Sequence, residues 1–364
     1  MNIKKGTALA AIVLALAFSS SALAQRRNQQ QQQQQQAAPP QYGPAPATKP
    51  EADAFDAARI EADPAKKVGL SDNFLSKFPN SQLTGFVQRF RMESLSRTGR
   101  HKEAIAAGEA GLAFEIKYLE NLIVRADAPE PDPKANTNNN NRNRDRNAPP
   151  PPAKPDKNSP EFQAFAAETE KAMLYYYQTI MTSYQQLNDA AKTVEYGERA
   201  LGQDPEDVLA LITVSGVMAE RPPTEEKQKQ TQMGRVIELA KKADEKVNAM
   251  NLPADQKANI IASVRSTLGL ANLHLRKYGE AQREYLAALE AVKTDSVAYF
   301  RLGIAYAQDR RPDQAMDALA KSVFLKGVAE AQARDILKDL YVQKNKSEQG
   351  LEDFIKSAGQ KIGQ

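Results

Sequence analysis

The chain has no cysteine and no tryptophan, and only two histidines, His101 and His274, in 364 residues. Without cysteine there can be no disulfide, no thiolate metal site and no sulfur nucleophile. Two histidines far apart in sequence do not make a histidine-rich metal centre, so a bound metal would need carboxylates alone. An excess of one charge sign is missing as well: 49 Lys plus Arg stand against 45 Asp plus Glu, for a net charge of +4. A nucleic-acid binder concentrates basic charge on one face, and this balance gives no sign of that. Also absent are a glycine-rich phosphate loop, a His-Glu-x-x-His pair and a Gly-x-Ser-x-Gly nucleophile turn. The carboxylates lie in Glu/Lys-rich stretches where a solvated surface accounts for them. We therefore expect no catalytic, cofactor-binding or metal-binding residue, and a protein that is not an enzyme.

Long apolar runs are lacking, with one exception near the N-terminus. Lys4 and Lys5 precede an apolar stretch over residues 7–18, and Ala22-Leu23-Ala24 supplies the small residues that a signal peptidase accepts. Residues 1–24 thus read as a secretory leader cut after Ala24, since the apolar run falls short of the roughly 20 residues that span a bilayer. No cysteine follows the leader, which excludes a lipoprotein. No later segment is apolar enough to span a membrane, so the mature chain is expected in the periplasm or outside the cell.

Two stretches are too poor in apolar groups to offset the entropy of ordering. Residues 25–50 hold the glutamine run from Gln29 to Gln36 and five prolines, and read as a disordered tether. Residues 126–159 combine prolines with an Asn/Arg tract and read as a disordered insertion. Its Arg142, Arg144 and Arg146 are nearly cancelled by nearby acids such as Asp132 and Asp145, which favours a solvated loop.

Elsewhere alanine, leucine, glutamate and lysine dominate, and apolar residues recur at three- and four-residue spacing, the signature of helix. Turn signals such as Asp63-Pro64, Phe78-Pro79, Thr98-Gly99, Asp204-Pro205, Arg221-Pro222 and Leu252-Pro253 divide this into about a dozen helices. Two of them, 102–125 and 160–187, are longer than the rest and flank the insertion as a two-helix arm. A 34-residue offset relates Leu268-Gly269 to Leu302-Gly303, Ala281 to Ala315, Tyr285 to Leu319 and Leu289 to Val323.

That period, with small residues at fixed helix positions, resembles the tetratricopeptide family. A small residue where two helices cross lets their backbones approach, and a large one opposite fills the groove beside it. Tyr299, Leu302, Gly303, Tyr306 and Ala315 match the family's packing positions, as do Leu268, Gly269, Ala281 and Tyr285 one unit earlier. Arg265 and Asn272 stand where the family prefers aromatics, so looser packing is expected there. Tyr177 and Tyr184 fit an earlier unit, with Thr193 in place of its small alanine.

The resemblance implies an all-α solenoid of antiparallel hairpins: N-terminal helices over 51–125, central repeats over 160–326 and capping helices over 327–364. It also implies a concave groove. Mapping its positions gives Tyr175 and Gln178, then Leu270, Leu273 and His274, then Phe300, Ile304 and Gln308. Of a carboxylate-holding set known in some members, only Arg301 falls at a matching position, so that activity is not carried over. The expected partner is a protein or peptide of unknown identity, held through apolar anchors. The alternative is a cell-envelope polymer such as peptidoglycan, met by the aromatics and the basic tract.

Overall fold

A computed structural model of the chain describes residues 42–129 and 154–362. The expected leader, most of the tether and most of the insertion lie outside the described residues. Fourteen α-helices and no strand occur among the described residues. The chain divides into two compact units, with the boundary between Ser183 and Tyr184.

The first unit holds α1 (Lys49–Ile60), α2 (Pro64–Lys77), α3 (Thr84–Arg97), α4 (His101–Asp127) and most of α5 (Pro160–Gln186). Side-chain caps fix where the early helices start. Thr48 accepts a hydrogen bond from the Glu51 N–H, and Asp63 accepts one from the Lys66 N–H just before Pro64. Phe55, Phe74, Phe78, Phe86 and Phe90 form a chain of ring contacts across α1 to α3.

Helices α4 and α5 pair along their length because one face of α4 is stepped to receive α5. A Cβ on Gly108 would lie 2.8 Å from Ile180 Cγ1, and one on Gly111 would strike the Tyr176 ring. Farther along, Tyr118 meets Phe165 edge-on at 5.9 Å, and Leu122 joins Phe162 in a small apolar cluster. Tyr42 closes this end. Its ring packs on Phe162 at 5.3 Å, its carbonyl accepts from the Tyr118 hydroxyl, and its own hydroxyl accepts from the Asp156 N–H. The tether expected to run to Pro50 therefore stops short of Tyr42, because an aromatic ring and a helix cap outweigh the local proline content.

The second unit continues with α6 (Ala190–Gln203), α7 (Val208–Glu220), α8 (Glu226–Ala249), α9 (Ala254–His274), α10 (Tyr278–Ala291), α11 (Ser296–Gln308), α12 (Pro312–Phe324), α13 (Glu330–Asn345) and α14 (Leu351–Gly359). From α6 to α13 each helix packs on the next, and α14 packs back on α12, so the unit is a run of helical hairpins with a closing helix. Within a hairpin the crossing is set by glycine. A Cβ on Gly269 would lie 2.7 Å from the Tyr285 ring, and one on Gly303 would lie 2.6 Å from Leu319 Cγ.

The turns inside hairpins repeat as well. At α5–α6, α9–α10 and α11–α12 a residue with positive φ follows the first helix: Asn188 (60°), Arg276 (58°) and Arg310 (58°). In each, the next N–H reaches back five residues, Asp189 to Tyr184 O at 3.0 Å, Lys277 to Asn272 O at 2.9 Å and Arg311 to Tyr306 O at 2.9 Å. This is the Schellman turn that glycine usually makes. In the first unit Gly99 (φ 76°) makes the same turn, with the Arg100 N–H on Leu95 O at 2.9 Å.

Candidate functional site

In the second unit, α7, α9 and α11 lie side by side, each touching its neighbour, with α8, α10 and α12 behind them. Sites therefore form either on the face of the first layer or in the clefts of the second. On α11 the stripe Val297, Arg301, Ile304 and Gln308 repeats at four, three and four residues, so all four share a face. Arg301 leaves that stripe to form an ion pair with Glu220 at the end of α7, bridging over α9. Burial works against the Arg301 charge, yet Glu220 beside it more than compensates, and its pKa stays raised. The groove thus presents a neutralised arginine rather than an open cation.

His274 lies beside this pair, and its Nε2 is 3.1 Å from Ala219 O. A carbonyl only accepts, so Nε2 carries the hydrogen and Nδ1 is the acceptor. Burial lowers the His274 pKa, which keeps the ring neutral near pH 7. The Tyr285 hydroxyl and the Ser266 Oγ are buried nearby without a partner, and burial raises the Tyr285 pKa strongly. Among the described residues no group of three or more His, Asp or Glu is placed to hold a metal.

Several residues expected to line the groove are instead engaged with neighbours. Leu270 is buried with Ala271 against Ala219, Met233 and Val236, and Leu273 packs on the same cluster. Phe300 packs against the cluster formed by α12, α13 and α14. Ile304 is half-buried and Gln308 exposed. The sequence pattern gives the face of a helix but not the hairpin that covers it.

Tyr175 and Gln178 belong to the first unit, and both are half-buried. Burial pushes the Tyr175 hydroxyl up to about 12, with Glu93 adding to the rise. Of the consecutive Tyr175, Tyr176 and Tyr177, the ring at the centre of the packing is Tyr176 rather than Tyr177: it is fully buried, and its hydroxyl donates to Gly85 O at 2.7 Å. The glycine steps on α4, outside the repeat register, decide this. Tyr177 is half-buried, and Tyr184 stacks on Tyr196 with centroids 5.6 Å apart.

The largest departure concerns Arg265. Rather than loosening its helix, it reaches Asp244 on α8 at 2.6 Å and Glu284 on α10 at 3.1 Å, filling the cleft between those two helices. Asn272 is buried with its amide donating to Leu268 O at 3.0 Å, and the buried Thr193 hydroxyl donates to Asp189 O at 2.6 Å. Between α6 and α8, Arg235 meets Glu198 at 3.3 Å. The next cleft, between α10 and α12, is open. Its volume is about 720 Å³, with Tyr299, Leu302 and Tyr306 among its lining residues. Nothing in the sequence pattern pointed to it, although the 34-residue offset places Tyr299 opposite Arg265 and Ala318 opposite Glu284.

No protein-family profile and no curated protein matches the chain. Among solved structures it is similar to a tetratricopeptide repeat protein from Parabacteroides merdae, at 13% identity over 86% of this chain and 98% of that one, with a TM-score of 0.45. A tetratricopeptide protein of Thermus thermophilus gives 15% identity over 50% and 94%, with a TM-score of 0.36. The TPR2AB domain of yeast Sti1 in its pHSP90 complex gives 13% over 86% and 96%, with a TM-score of 0.25. The architecture is of the tetratricopeptide type. It rests on this chain's own geometry: hairpins repeating at 34 residues, glycine crossings and a recurrent turn. Among the described residues no helix is long and apolar enough to cross a membrane.

Proposed function

We propose that the chain is an exported, non-catalytic scaffold that holds a protein or peptide partner on the face formed by α7, α9 and α11. The observation that carries this reading is the Glu220–Arg301 bridge. It ties α7 to α11 and fixes a preformed surface before any partner arrives, which lowers the ordering cost of binding. Around the bridge, Val297, Ile304 and Ala307 supply half-buried apolar contact, and Ser263 and Gln308 supply polar groups at the margin. Because Glu220 already neutralises Arg301, apolar anchors rather than a free carboxylate select the partner. Export follows from the leader, and the mature chain begins at Gln25.

The test is a photo-crosslinking amino acid placed at Ile304 in intact cells, with the exposed Lys338 as control. A discrete adduct at Ile304 alone supports the reading. Equal labelling at both positions, or none at either, overturns it. Mass spectrometry of the N-terminus checks export directly: a chain that retains Met1 contradicts it.

A further inference from the structure

Residues 42–48 run from the far end of the α4–α5 pair to the start of α1 as a strap fastened only at its two ends. At the α1 end the Ala47 N–H donates to Glu51 Oε2 at 2.7 Å, and Thr48 caps the helix. At the other end Tyr42 is buried. Between them Gly43, Pro44, Ala45 and Pro46 make no hydrogen bond to another described residue, and Ala45 and Pro46 are exposed. Two of the four are prolines, which have no N–H to leave unsatisfied, so the strap lies extended at no cost in lost donors.

Tyr42 is held in three ways. Its ring meets Phe162 edge-on at 5.3 Å, and its carbonyl accepts from the Tyr118 hydroxyl at 3.1 Å. Its phenol oxygen accepts from the Asp156 N–H at 3.3 Å and lies 3.5 Å from Ser159 Oγ. The walls of this socket are fixed by contacts that do not involve Tyr42. Tyr118 meets Phe165 edge-on, and Asp127 near the end of α4 pairs with Lys157 just before α5. The turn that presents the Asp156 N–H is closed by Ser159, whose Oγ donates to Asp156 O at 2.8 Å and accepts from the Phe162 N–H at 3.2 Å.

We infer that the end of the α4–α5 pair is a binding socket for a tyrosine that leads an extended, proline-containing segment, and that residues 42–46 occupy it as a releasable strap. A segment of the same chemistry on a partner protein competes for the socket. The ring, the phenol oxygen and one main-chain carbonyl are recognised, while the prolines keep the rest extended. A short linker gives an effective concentration of about a millimolar, so a dissociation constant near that value leaves the strap free to exchange. The socket belongs to the first unit and does not depend on the face proposed above.

The test uses the full chain, its Tyr42→Ala variant and an acetylated peptide that copies residues 42–48. In Tyr42→Ala, amide hydrogen exchange over residues 156–166 is expected to be at least tenfold faster than in the parent, with helicity retained, and excess peptide restores the protection. Saturation-transfer NMR on the peptide ring is expected to show binding to Tyr42→Ala at least fivefold tighter than to the parent, whose own Tyr42 competes. A peptide with alanine in place of tyrosine does not bind. The inference is overturned if Tyr42→Ala leaves exchange over residues 156–166 unchanged or loses helicity. It is equally overturned if the peptide does not bind that variant, if parent and variant bind it alike, or if the alanine peptide binds as well.

Discussion

The two clefts that flank α10 are built from adjacent copies of one 34-residue pattern, yet one is filled and the other is open. On the α8 side, Arg265 joins Asp244 and Glu284 in a network whose side chains are each less than a third exposed. On the α12 side, Tyr299 and Ala318 leave a cleft of about 720 Å³. Positions that pack inside a hairpin hold their character across the offset: Leu268 and Leu302, Gly269 and Gly303, Ala281 and Ala315 are all buried. Positions that face between hairpins diverge. A repeat therefore specifies its hairpin tightly and its surfaces loosely, because backbone approach tolerates few residues whereas a cleft can be filled by charges, by rings or by a partner.

The largest effect is expected where the two hairpins are most alike. Gly303→Leu drives a side chain into Leu319 and toward Ala315 O, and costs about 3 kcal/mol or more by overpacking. Calorimetric melting should show the C-terminal hairpins unfolding at lower temperature. If the variant melts like the parent, the two hairpins do not share a glycine crossing.

Next comes the filled cleft. Arg265→Ala leaves Asp244 and Glu284 partly buried without their shared cation, at a cost of roughly 1–2 kcal/mol once partial exposure is allowed for. Arg265→Tyr combined with Glu284→Ala, which copies the open cleft, should recover much of that loss. Urea melts decide between the two: if the double variant is less stable than Arg265→Ala, the clefts are not interchangeable.

Glu115 in the first unit sharpens the contrast between charges buried with a partner and without one. Burial raises its pKa, and Arg89 offsets only part of the rise. The unfolded chain therefore ionises first, so the folded state loses stability as pH climbs from about 4.5 through the raised value. Glu115→Gln should raise the melting temperature at pH 7, with the gain fading by about pH 4. A gain that does not change with pH would show that the Glu115 carboxyl does not titrate in this way.

The smallest effect is expected at the recurrent turns. Arg276→Gly or Arg310→Gly removes a left-handed side-chain conformation and should stabilise by on the order of 1 kcal/mol. A destabilised variant would mean that the arginine side chain, rather than the backbone turn, holds the hairpin.

Much of this fold is legible in the sequence for identifiable reasons. Proline marks helix ends at Asp63-Pro64 and Asp204-Pro205, and the Gly-plus-34 rule marks the last hairpins. The recurrent turn is not legible, because Arg276 and Arg310 carry no sign of left-handed backbone. Tyr42 is hidden by the prolines around it, and Tyr176 by the step that Gly111 makes on a distant helix. The candidate groove was legible only as a helix face. Which side chains stay free on it depends on neighbours such as α13, which covers Phe300, and α7, which covers Leu270.

The central claim is that residues 299 and 318 decide whether the second-layer cleft is open. It is tested most directly by the crystal structure of a Tyr299→Arg/Ala318→Glu variant that retains the parent's helicity. The account predicts that the new pair fills the cleft, with Glu290 on its α10 wall as a further carboxylate. A cleft as open in that variant as in the parent would contradict it.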